Sequence, residues 1–159
     1  MTYAAALTFR GRSPYATRLY LDARWSGVPA DAKSLVLLAD DNEIFRSTCC
    51  DVLQTWGCRV ITASDGAEAL EVARTRRPAL VLMDIQMPGL NGMDAIRRLR
   101  ADAVLAKLPV IALTALVMPG DRERCLQAGA DEYVSKPVHW ADLLEVMARL
   151  LKGQPHESA

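Results

Sequence analysis

"ALVLMDIQMPGLNG", residues 79–92, is the stretch on which the fold turns. Ala79 to Met83 is apolar without a break. A strand with one wet face alternates polar and apolar residues, so this run reads as a strand covered on both sides, as parallel strands are. It ends on a carboxylate, Asp84, and within a few residues come Pro88, Gly89, Asn91 and Gly92, which favour a turn.

Working outward, the same kind of short run recurs at 35–39, 59–63, 109–115 and 132–135. Helix-length segments fill the intervals. In 43–56, Phe45, Cys49, Val52, Leu53 and Trp56 fall on one face, and Gly57 stops the helix. Segment 65–76 ends before Pro78. Segment 91–100 aligns Met93, Ile96 and Leu99, and 140–151 aligns Trp140, Leu143, Leu144, Met147, Leu150 and Leu151. The fourth helix, 119–128, is expected to start with Pro119 in its first helical position and to stop before Gly129. Its Asp121, Arg122, Glu123, Arg124 and Gln127 make it the most polar and the most weakly anchored of the five. Strands alternating with helices in this way predict a doubly wound α/β domain over residues 34–152, with a parallel sheet and helices on both faces. Residues 153–159 read as a disordered tail.

Residues 1–33 stand outside the alternation. They carry Tyr3, Phe9, Tyr15, Tyr20 and Trp25, and five basic residues against two acidic ones, a charge of +3. They are expected to form a flexible extension or a segment that docks on a partner or on the domain. The remaining 14 basic and 17 acidic residues leave the rest of the chain at −3, without a basic stripe, so direct nucleic-acid binding is not expected. Cys49, Cys50, Cys58 and Cys125 show no C-x-x-C spacing and read as reduced core residues. No run approaches the roughly 20 apolar residues of a membrane span. Without a signal peptide, the expected location is the cytoplasm.

In a doubly wound sheet, ligands gather at the carboxyl ends of the strands. Asp40, Asp41, Asp84 and Thr114 lie at such ends, and Lys136 follows the fifth strand. Three carboxylates brought together repel one another, which a hard divalent cation relieves; beside phosphate oxygens that cation is commonly Mg²⁺, with Mn²⁺ as a substitute. No His or Cys is adjacent in sequence, against zinc. There is no Ser-His pair and no Gly-rich phosphate loop. The set suits in-line phosphoryl transfer onto Asp84, with Thr114 and Lys136 contacting the phosphoryl group.

"LVLLADDNE", "LVLMDIQMPGLNGMDAIRRLR", "PVIALTA" and "AGADEYVSKPV" together resemble the receiver domain of response regulators in two-component signalling, CheY-like, across 34–152. The resemblance implies the flavodoxin-like strand order 2-1-3-4-5. It implies Asp84 as phosphoacceptor, with Asp40, Asp41, Asp84 and the backbone carbonyl of Gln86 around Mg²⁺. Thr114 and Tyr133 would be the switch pair, Lys136 the phosphate-contacting cation, and Lys136–Pro137 a cis peptide. Gln86 and Leu116 would tune the lifetime of the phosphoryl group. Leu116 offers water no hydrogen bond, so Leu116→Glu or Leu116→Asn is expected to shorten that lifetime.

Phosphorylation would then change the surface of helix 4, strand 5 and helix 5. The domain would be a signalling switch, catalysing only its own phosphorylation and dephosphorylation. The implied partners are a histidine kinase or histidine phosphotransfer protein and a downstream protein, with a phosphorylation-dependent dimer as a further form. "TALVMPGDRERCLQAGADEYVSKPV" resembles receivers of hybrid histidine kinases, which would place the chain in a phosphorelay, whether as a stand-alone protein or a piece of a larger one. A phosphorylation-independent interaction module of the same fold and a flavin enzyme are the competing classes. His139 reads as a helix-entry residue, His156 as idle, and Arg97, Arg98 and Arg100 as a solvated face.

Overall fold

The computed structural model describes residues 34–115 and 118–152. The expectations for residues 1–33, for Leu116 and for the tail from 153 lie outside the described residues. Five strands, β1 Leu35–Ala39, β2 Arg59–Ala63, β3 Leu80–Asp84, β4 Val110–Thr114 and β5 Glu132–Ser135, alternate with five helices. The helices are α1 Glu43–Thr55, α2 Gly66–Arg76, α3 Gly92–Ala101, α4 Asp121–Ala128 and α5 Trp140–Lys152. All strand pairings are parallel, in the order β2-β1-β3-β4-β5. The expected flavodoxin-like fold is therefore the observed one.

The unbroken apolar runs have a simple cause. Successive side chains of a strand point to opposite faces, and here both faces are covered. Leu37, Val81, Met83 and Ala112 enter one core with Leu70, Ile96, Leu99 and Cys125 from α2, α3 and α4. Val36, Leu38, Leu80, Leu82, Ile111 and Leu113 enter the other, with Cys49 and Leu53 from α1 and Leu143 and Met147 from α5. Only the three central strands follow the expectation of burial on both sides. β2 and β5 are the sheet's edges, and most of their side chains are partly or fully exposed.

The starts of α1, α2 and α3 are set by short polar side chains. The carbonyl oxygens of the Asn42 and Asn91 side chains accept the N–H groups of Phe45 and Asp94 at 3.0 and 2.9 Å, and an Asp65 carboxylate oxygen accepts that of Glu68 at 2.8 Å. Because Asn42 caps α1, Asp40 and Asp41 are left for other work. Pro119 does not occupy the first helical position expected of it. Met118-Pro119-Gly120-Asp121 is instead a turn closed by the Asp121 N–H on the Met118 carbonyl at 3.1 Å, and Gly120 takes φ 90° and ψ −5°. Pro second and Gly third are what a type II turn requires, so the helix begins after the pair.

Arg100 also departs from expectation. It is not on a solvated face: its guanidinium donates to the carbonyls of Gly129 at 2.8 Å, Ala106 at 3.1 Å and Leu108 at 2.7 Å, and pairs with Asp131 at 2.9 Å. The same Asp131 oxygen accepts the N–H of Val110 at 2.8 Å, so Arg100 ties α3 to the entries of β4 and β5. Arg97 and Arg98 are exposed, as expected. His139 accepts the Leu143 N–H at the entry of α5, and its exposed ring faces Asp142 at 3.3 Å.

Candidate functional site

Neighbouring strands of a parallel sheet end together, so β1 and β3 deliver Asp40 and Asp84 side by side. Ligand oxygens of Asp40, Asp41 and Asp84 all lie within 4.8 Å of one another. Asp40 has no exposed surface, Asp84 is buried and Asp41 opens to solvent. Lys136, brought from 96 positions away, sets its ammonium 2.5 Å from Asp40 Oδ2 and 3.7 Å from Asp84 Oδ2. It lies 4.1 Å from the centre of the Phe45 ring, whose face favours a cation.

Backbone donors complete the arrangement. Asp40 Oδ1 accepts the Asn42 N–H at 2.8 Å, and Asp84 Oδ1 accepts the Gln86 N–H at 3.1 Å. Arg46 donates to the Asp40 carbonyl at 2.5 Å. Gly92 lies directly against the end of β3: a Cβ there would stand 2.0 Å from the Asp84 carbonyl oxygen. Any side chain at position 92 would therefore displace the acid it supports.

Burial, reinforced by the charge of Asp40, pushes the Asp84 carboxyl up to about 6; Lys136 and the Gln86 N–H oppose the rise, and Asp41 adds slightly to it. A divalent cation among these groups would favour the ionised form. The donor set fits a hard cation, being oxygen only. Cys49 lies near enough to feel Asp40 and Lys136, but burial raises its pKa and keeps the thiol protonated.

Thr114 is buried at the end of β4, and its carbonyl accepts the Lys136 N–H at 2.8 Å. Ala112 is paired with Tyr133, so Thr114, two residues on, projects from the same face of the sheet as Tyr133. Tyr133 is partly buried and packs against the core on the α3–α4 side. Lys136–Pro137 is cis. The Gln86 side chain is exposed.

The geometry thus unites Asp40, Asp41, Asp84 and Lys136 and sets Thr114 and Tyr133 on one neighbouring face. Sequence reading missed the supporting residues. Asn42 was visible in principle, as a cap residue directly before a helical period. Phe45 had no signal beyond its core spacing, and Gly92 none beyond turn composition.

The chain is similar to known proteins over about three quarters of its length. The polar-differentiation response regulator DivK of Brucella anthropi is 39% identical over 116 residues, covering 73% of this chain and 94% of DivK. The receiver domain of a Pseudomonas aeruginosa sensor histidine kinase, described with a magnesium ion coordinated in its active-site cleft, superposes with a TM-score of 0.71 at 36% identity, covering 76% of this chain and 99% of that one. The receiver domain of a signal transduction histidine kinase from Syntrophus aciditrophicus gives a TM-score of 0.73 at 31% identity, with 79% and 96% covered. The model of the response regulator receiver domain matches residues 36–148, and the chain belongs to that family.

Proposed function

We propose that the chain is a phosphoacceptor: Asp84 takes a phosphoryl group from the phosphohistidine of a histidine kinase or phosphotransfer protein. The observation that carries this reading is the union of Asp84 with two further carboxylates and the Lys136 ammonium at one sheet edge. A carboxylate oxygen of Asp84 attacks phosphorus in line as the P–N bond to the donor imidazole breaks, and the imidazole leaves with the electron pair. Asp40, Asp41, Asp84 and the Gln86 carbonyl would hold Mg²⁺, which would neutralise phosphoryl oxygens. Lys136 offsets the charge left over and contacts the transferred group. Thr114 would donate its hydroxyl to a phosphoryl oxygen, and Tyr133, on the same face, would turn into the space vacated. The surface of α4, β5 and α5 would then change for a downstream protein.

The test is labelling by acetyl phosphate. Label should appear only with Mg²⁺, resist chelation once formed, and vanish in Asp84→Asn. A folded wild-type chain that takes no label under these conditions would instead be a phosphorylation-independent interaction module. The likeness to histidine-kinase receivers favours a place in a phosphorelay in the cytoplasm, and back-transfer of label to a phosphotransfer domain would support it.

A further inference from the structure

Four polar side chains are buried among the described residues: Asp40, Asp84, Thr114 and Asp121. Three of them belong to the site already described. Asp121 does not, and a carboxylate with 4% exposure must be held by donors. Its Oδ2 accepts the N–H of Met118 at 2.7 Å, and its Oδ1 takes the guanidinium of Arg124. Its own N–H donates to the Met118 carbonyl at 3.1 Å. Both polar groups of the Met118 backbone are therefore clasped by one residue, the first of α4.

The position of the clasp gives it meaning. Met118 is four residues beyond Thr114 in the connection from β4 to α4. Tyr133 stands on β5, against which α4 packs, and its side chain packs against the core that holds Cys125 and Ala128 of that helix. With Met118 fastened to Asp121, a displacement that reaches Met118 passes into the helix, because the turn 118–121 and the first helical turn move as one body.

We propose that Asp121 is a positioning residue of the switch, clasping Met118 to the first turn of α4 beside Tyr133 so that displacement of Thr114 moves helix and ring together. The proposal rests on the phosphoacceptor reading and adds the part that couples chemistry to surface.

The test uses the full chain carrying 3-fluorotyrosine, in which the resonance of Tyr133 is assigned by Tyr133→Phe. Beryllofluoride with Mg²⁺ stands in for the aspartyl phosphate, and acetyl phosphate labelling of separate, beryllofluoride-free portions of each protein reports on Asp84. In the wild type, label enters and the Tyr133 resonance shifts. Asp121→Ala should take label to the wild-type extent yet lose the shift. Asp121→Asn, which can still accept the Met118 N–H, should restore it, and Arg124→Ala, which removes the partner of Asp121 Oδ1 but neither hydrogen bond to Met118, should keep it. A merely structural role would lower thermal stability without separating label from shift. A full shift in labelled Asp121→Ala overturns the proposal. If that variant does not fold, amide exchange in the wild type decides: the Met118 N–H should be equally protected with and without beryllofluoride, and loss of protection on activation overturns the clasp. Absence of label in the wild type would instead defeat the phosphoacceptor reading.

Discussion

Asp40 has no exposed surface, and its carboxylate is met by the Lys136 ammonium and the Asn42 N–H. Removing one partner of a buried ion pair leaves the other uncompensated. Lys136→Met should therefore cost about 3 kcal/mol of stability at neutral pH, read from urea unfolding. Asp84 behaves in the opposite sense. With its carboxyl raised from 3.8 to about 6, the folded state binds a proton more readily than the unfolded state between those values. Stability should fall as pH rises through that window, and the loss persists above it. In chelator, Asp84→Asn should be more stable than the wild type above pH 6, by on the order of 1–3 kcal/mol, with the gap closing towards pH 4. Mg²⁺ should raise the melting temperature of the wild type and do far less for the Asn variant.

At the scale of elements, α3 is packed through Ala95, Ile96 and Leu99, and a further contact fixes each of its ends. At its start, the missing Cβ of Gly92 lets the helix sit against the carbonyl of Asp84. Gly92→Ala would put a carbon 2.0 Å from that oxygen and 2.8 Å from the Ile85 Cα, both backbone atoms that cannot swing aside. The end of β3 must then move, and a shift of that size at a reacting group costs on the order of a hundredfold in rate. Acetyl phosphate labelling should slow accordingly, while the circular dichroism of a folded domain remains. At the far end, Arg100 satisfies three carbonyls and the Asp131 carboxylate. Arg100→Ala should cost about 2–3 kcal/mol in urea unfolding and leave labelling intact. Arg100→Lys should recover only part of this, because an ammonium lacks the planar fork of donors that reaches several acceptors at once. The contrast separates a contact that shapes the site from one that only holds the sheet together.

At the scale of the molecule, the sequence disclosed what depends on apolar patterning. Runs such as residues 80–83 reveal two-sided burial because every side chain enters one core or the other. Carboxylates at the ends of those runs, and Lys136 after the fifth, then had to converge at one edge. Arg100 was misread because its partners are mostly backbone carbonyls, which leave no mark on sequence, and an Arg among polar helix residues looks solvated. Asp121 was hidden in the same way, as one more acid at the start of a polar helix. Polarity nonetheless bears on how firmly each element is held. Among its apolar residues, α4 buries only Cys125 and Ala128, whereas the longer α5 buries Leu143, Leu144 and Met147 and lays Trp140 edge-on to Trp56 with ring centres 6.5 Å apart. Local opening free energy follows buried apolar contact, so α4 should open well below the global unfolding free energy and α5 close to it. Native-state hydrogen exchange measures both. Amides of residues 125–128 should exchange with a weak dependence on urea, and those of residues 144–148 and of β3 with the steep dependence of global unfolding. Equal protection of α4 and α5 would show that the polar helix is as firmly fixed as the apolar one, and the movable surface would have to be sought elsewhere.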